Sequence, residues 1–185
     1  YQGARLSFYI LLILSLPVIV NAHYILTLWL KIVPEHTTLF VQLVLIFAMS
    51  ESISNPLITA MLATGKIRNY QIVVGGLQMM NLPISYVLLR YGCIPETVLI
   101  VAICISQCCL ASRLYMLRGM IGLSVREYLS KVYFNVLAVT VLSAVIPCIL
   151  SYYLSETLLN FIIICVVSVI CTFSAIIVIP LFNMQ

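Results

Sequence analysis

Aspartate is absent from this 185-residue chain, and charge of either sign is scarce: nine lysines and arginines, five glutamates and two histidines. Charged residues make up 8% of it, against about 25% in an ordinary soluble domain. The scarcity excludes most chemistry. There are no paired carboxylates for acid–base work, no glycine-rich phosphate loop and no H-E-x-x-H. No Ser-His arrangement has a third partner. His23 and His36 both lie toward the outer side. Catalysis and nucleotide-driven pumping are therefore not expected, and no cofactor, metal or nucleic-acid partner is expected either. Seven cysteines occur without any C-x-x-C. Cys104 and Cys108 stand one helical turn apart and could in principle share a metal, but no His or carboxylate accompanies them in sequence. Small apolar packing residues are the preferred reading.

What the chain has instead is apolar surface. It is 64% hydrophobic, with a mean hydropathy of +1.21. A soluble fold of this size lacks the interior to hide that much, so the bulk solvent must be lipid. Six segments reach the roughly 20 apolar residues a membrane helix needs: residues 6–30, 39–64, 70–89, 97–117, 132–154 and 157–182. The expected fold class is an all-α integral membrane protein. The chain opens without methionine, so it reads as a fragment of a longer protein. The run from Leu6 is too long for a signal peptide.

The connections read as helix ends. Pro34-Glu35 and Pro95-Glu96 put a proline and an acid just before a helix, and Gly65 follows Thr64 as a stop. Lys and Arg set the orientation. Arg5, Lys66, Arg68, Arg113, Arg118, Arg126 and Lys131 fall on one side, Lys31 and Arg90 on the other. Both ends of the chain are thus expected in the cytoplasm. Trp29, Tyr24, Tyr91, Tyr152 and Tyr153 fall near the outer interface as anchors. In the longest loop, Arg118 to Lys131, Ser124 with Glu127 fits a capping box and Leu123 with Tyr128 a hydrophobic staple. The pattern predicts a short interfacial helix over 125–131.

One carboxylate, Glu51, stands near the middle of an apolar stretch. An ionisable group at that depth costs about 2.5–3.5 kcal/mol on insertion scales and normally faces a bundle interior or a water-filled path. Glu51, Ser54, Asn55 and Ile58 share helical spacing, and Pro56 frees a carbonyl one turn earlier. The third segment carries Gln71, Gln78, Asn81 and Ser85, with Pro83 beside Asn81; Gly75-Gly76 would admit a close neighbour. The first carries Pro17, Asn21 and His23. The fourth carries Gln107 and, further on, Arg113. The last two hold only Cys, Ser and Thr at mid-depth. Segments one to four therefore read as lining something polar, with proline kinks at Pro17, Pro56 and Pro83 as moving parts; five and six read as lipid-facing. Each residue has a plainer alternative. Glu51 can be a protonated carboxyl joining two helices, Asn55, Gln78 and Asn81 interhelical glue, and Arg113 a snorkelling side chain.

Several stretches together point to a family. They are Leu16-Pro17, Ile25-Leu26 with Leu28-Trp29-Leu30, Asn55-Pro56-Leu57, Ala63-Thr64-Gly65-Lys66-Ile67 with Tyr70-Gln71, and Asn81-Leu82-Pro83-Ile84-Ser85-Tyr86. Over about residues 5 to 118 the chain resembles the C-terminal part of a polysaccharide repeat-unit (O-antigen type) flippase of the MATE-like exporter superfamily. The resemblance implies most of one lobe of a two-lobe transporter whose N-terminal lobe lies elsewhere in the chain. It also implies a bacterial cytoplasmic membrane and a lipid-linked oligosaccharide substrate, moved by alternating access with H+ or Na+ as coupling ion. On that reading Arg113 and the Lys66/Arg68 turn form a cationic cytoplasmic mouth for a diphosphate. Asn55, Gln78 and Asn81, with Ser54 and Gln107, meet sugar hydroxyls, and Glu51 exchanges the ion. The family's cavity is often cationic; here the intramembrane charge is negative. A cation-coupled drug antiporter of the same superfamily and a non-transporting membrane scaffold are the alternatives.

Overall fold

The computed structural model describes residues 2–65, 67–153 and 157–182, with side chains through 178. Those residues form helices and no strand: α1 Gln2–Val20, α2 Ala22–Leu30, α3 Thr37–Ala63, α4 Ile67–Met79, α5 Asn81–Arg90, α6 Thr97–Ile121 and α7 Val125–Tyr128. A π-helical segment, Leu129–Phe134, then leads into α8 Asn135–Tyr153, and α9 Leu158–Phe182 follows. Six stretches are long and apolar enough to cross a membrane: Gln2–Val20, Thr37–Ala63, Ile67–Arg90, Thr97–Ile121, Val125–Tyr153 and Leu158–Val178. The chain is an all-α, multi-pass membrane protein.

Two segments read as single helices are broken. The first breaks at Asn21 (φ −105°, ψ 21°), one turn after Pro17. The Asn21 amide donates to the Pro17 carbonyl at 3.0 Å. The third turns at Met80, between α4 and α5. Pro83 sits in the first turn of α5, where its missing N–H has no intrahelical partner to lose. Pro56 and Pro147, by contrast, lie inside continuous helices.

The long loop expected from Arg118 to Lys131 contracts to three residues. α6 runs on to Ile121 and stops at Gly122, whose φ of +68° is a left-handed cap that glycine adopts without a Cβ clash. Ser124 Oγ accepts from the Glu127 N–H at 3.2 Å, one half of the predicted capping box. The helix it starts does not end at 131 but continues through the π-helical turn into α8. Gly65 (φ +71°) ends α3 as expected.

The chain divides into two compact units, residues 1–42 with 129–185, and residues 43–128. In the first, α1 packs against α8 and α9, which form a hairpin. α1 buries Ala4, Phe8, Leu12 and Leu16, four residues apart and so on one face. Ser143, Ser168 and Thr172 are fully buried on α8 and α9. Their hydroxyls donate to carbonyls of their own helices, at Thr140, Ile164 and Ser168. These small residues let the backbones approach without leaving a polar group open. The Gln42 amide donates to Ile19 O at 3.0 Å. The first segment and the start of the second therefore fall in one unit with the last two.

The second unit holds the greater part of α3 together with α4 to α7. α6 packs against both α4 and α5. α3 and α6 run in the same direction: Ser50 meets Ser106, and Thr64 meets Met120, each pair 56 residues apart. A Cβ built at Gly75 or Gly76 meets nothing within 4 Å, so the expected close neighbour is not there among the described residues.

Candidate functional site

The polar groups of the second unit gather where α3 passes α6. The Ser106 hydroxyl donates to Glu51 Oε1 at 2.5 Å. Ser50 Oγ lies 3.4 Å from Ser106 Oγ and accepts a short hydrogen bond from Gln107 Nε2. A serine hydroxyl has one hydrogen to give. Ser106 spends its own on Glu51, so the hydrogen between the two serines comes from Ser50. The donors run in one direction, Gln107 to Ser50 to Ser106 to Glu51, and end on the carboxylate. This places a charge-assisted bond, the stronger kind, at the head of the chain.

Beside this relay lies a cavity of about 100 Å3, lined by Glu51, Gln78, Asn81 and Ser106 with Phe47, Ala102 and Ile105. Asn81 Oδ1 accepts from Ser85 Oγ at 3.1 Å, which fixes the amide across one turn of α5. No hydrogen bond forms at the Gln78 amide or at Glu51 Oε2 among the described residues. The cavity thus presents a carboxylate oxygen and amide groups with bonding capacity to spare. A water takes roughly 30 Å3 of liquid volume, so the space admits a few waters or an ion, and a sugar only after opening.

The interior face of α6 continues past this point. Ser106, Cys109, Leu110, Arg113, Leu114 and Leu117 are buried. Arg113 is 2% exposed, and its Nε and Nη1 have no hydrogen-bond partner among the described residues. Arg113 was expected at the cytoplasmic mouth, with snorkelling as the alternative; its position on the face shared with Ser106 turns it inward, which removes the snorkelling alternative. A buried ion without a partner is penalised by several kcal/mol. Nearby on α3, Ser54 is fully buried, and its hydroxyl is also without a partner.

Tyr128 closes this region from α7. Its hydroxyl donates to Ile53 O at 2.9 Å, next to the Ser52 carbonyl that Pro56 deprives of its helical donor.

Of the residues singled out in the sequence, Glu51, Gln78 and Asn81 come together on one cavity, and Gln107 joins them through Ser50. Asn55 does not: it is exposed and absent from the lining. Ser54 and Asn55 turn different ways because adjacent helical residues are about 100° apart. Arg68 is exposed at the start of α4, and Lys66 lies outside the described residues. Pro17 belongs to the other unit. Sequence reasoning passed over Ser106 and gave Tyr128 only a place in the hydrophobic staple. A serine beside Gln107 and a tyrosine in a basic loop carry no local signal; their partners lie 55 and 75 residues away. No protein-family model matches the chain, and no curated protein or solved structure matches it either.

Proposed function

We propose that the chain is part of a membrane transporter that flips lipid-linked polysaccharide repeat units across a bacterial cytoplasmic membrane by alternating access. It would form most of one lobe of a MATE-like, two-lobe protein with its ends in the cytoplasm. The observation that carries the reading is the cavity on which Glu51, Gln78 and Asn81 converge. Membrane-spanning helices that served only as a scaffold would have no reason to point a carboxylate and two amides into one space. In this reading Glu51 takes the coupling ion, Gln78 and Asn81 bond the sugar hydroxyls when the space opens, and Arg113 meets the diphosphate of the carrier lipid. Arg113 suits that role because a guanidinium binds phosphate through paired N–H donors, and two of its nitrogens are uncommitted.

Translocation of a lipid-linked oligosaccharide by the chain in its own membrane tests the proposal. Glu51→Gln and the Gln78→Leu/Asn81→Leu pair are each expected to lower the rate at least tenfold. Wild-type rates in both would sink it.

A second reading, a cation-coupled drug or metabolite antiporter of the same superfamily, is favoured by one fact: Glu51 is the sole charged residue on the cavity wall. Efflux of a lipophilic cation that depends on Glu51, without flipping of the sugar lipid, would select it.

A further inference from the structure

We infer that Glu51 and Arg113 are exchange partners: the Arg113 guanidinium is an internal anion site that the Glu51 carboxylate and the cargo's phosphate-class anion occupy in turn. The inference rests on the transporter reading for its cargo arm, while the pairing itself can be read without any cargo.

Three observations bear on the pair. The helices that carry them run in the same direction with a constant offset of 56 residues, so Arg113 stands six residues beyond the level of Glu51. That is about 9 Å of helix rise. Arginine is long, and helical side chains lean toward the helix N-terminus, which for Arg113 is the Glu51 end. Second, Arg113 is buried with Nε and Nη1 unpartnered among the described residues, and Glu51 has one oxygen engaged by Ser106 and the other uncommitted. Third, the stretch of α3 between those levels contains Pro56 and the Ser52 carbonyl it frees, where the ladder is weakest and a local bend costs least.

The physical consequence is a competition. Arg113 is buried and Glu51 half-buried, and opposite charges taken out of water neutralise each other when paired. A carrier that returns without cargo is therefore favoured with Glu51 on Arg113, and a cargo anion must displace Glu51 to reach the guanidinium. Ser106 holds the carboxylate in the displaced position.

A double-mutant cycle on unfolding midpoints, measured on the chain in lipid nanodiscs, tests the pairing. Glu51→Gln, Arg113→Gln and the double variant are compared. The double variant is expected to lose less than the sum of the singles, and the swap Glu51→Arg/Arg113→Glu to recover part of the loss. Additive losses overturn the pairing. Should a neutral variant fail to accumulate, Glu51→Asp and Arg113→Lys keep both charges and complete the same cycle. Inorganic diphosphate then probes the competition. It is expected to raise the midpoint of Glu51→Gln at least twice as far as that of the wild type, because the competitor is gone. Equal shifts, or none in either protein, overturn the competition. Failure of the sugar-flipping assay alongside a non-additive cycle would remove the proposed function and leave the pair.

Discussion

Ser106 on α6 donates its only hydroxyl hydrogen to Oε1 of Glu51 on α3, at 2.5 Å and across 55 residues of sequence. This bond ties the two helices at the level of the cavity and orients everything upstream of it, from Ser50 to Gln107.

Ser106→Ala removes that donor and the hydrogen bond Glu51 Oε1 accepts from it. A hydrogen bond to a charged group contributes about 1.5–3 kcal/mol, so the unfolding midpoint in detergent is expected to fall by that equivalent. Ser112→Ala is the control. Its hydroxyl only returns to the carbonyl of Cys108 on its own helix, and its midpoint should stay within about 0.5 kcal/mol of wild type.

Tyr128→Phe removes the hydroxyl that reaches Ile53 O beside Pro56. The ring stays and the buried volume barely changes. A loss of about 1–2 kcal/mol is expected, readable by chemical denaturation. Proteolysis should also show α3 opening more readily near Pro56.

Ser168→Leu tests the α8–α9 packing. Ser168 is fully buried, and its small side chain permits close helix approach. Replacing its hydroxyl with three carbons, a net gain of two heavy atoms, is expected to cost about 1–3 kcal/mol. Leu at exposed Val166, on the same helix, should cost almost nothing.

Gly122→Ala probes the α6 stop. Space is not the issue, since a Cβ meets nothing within 4 Å there. The φ of +68° is. An alanine held in the left-handed region is disfavoured by about 1–2 kcal/mol, and the same change at Gly119, inside the helix with ordinary φ, is expected to stabilise instead. Opposite signs at two glycines three residues apart would be the signature.

The legible part of this protein is the part that one residue's solvent decides. Each of the six spans could be drawn from hydropathy because every residue of an apolar run answers to lipid separately, whatever it later touches. Gly65 as a stop and Ser124 as a cap were readable for the same reason, since a turn's chemistry lies within four residues. Glu51 was conspicuous because a carboxylate in such a run is penalised wherever the neighbours are.

What the tertiary structure alone decided is which polar groups meet. Asn55 and Gln78 looked alike in sequence, yet one faces outward and the other the cavity. Arg113 read as a mouth residue from its place near a basic loop, and it is buried because it falls on the face of α6 that also buries Ser106, Leu110, Leu114 and Leu117. Ser106 was invisible, since a serine becomes a partner only when another helix delivers a carboxylate to it. The sequence by itself determined six apolar helices and an expensive acid. The pairing of helices supplied the donor chain that ends on Glu51 and the uncommitted guanidinium of Arg113, because hydrogen bonds and counter-charges depend on distances between segments that no local pattern encodes.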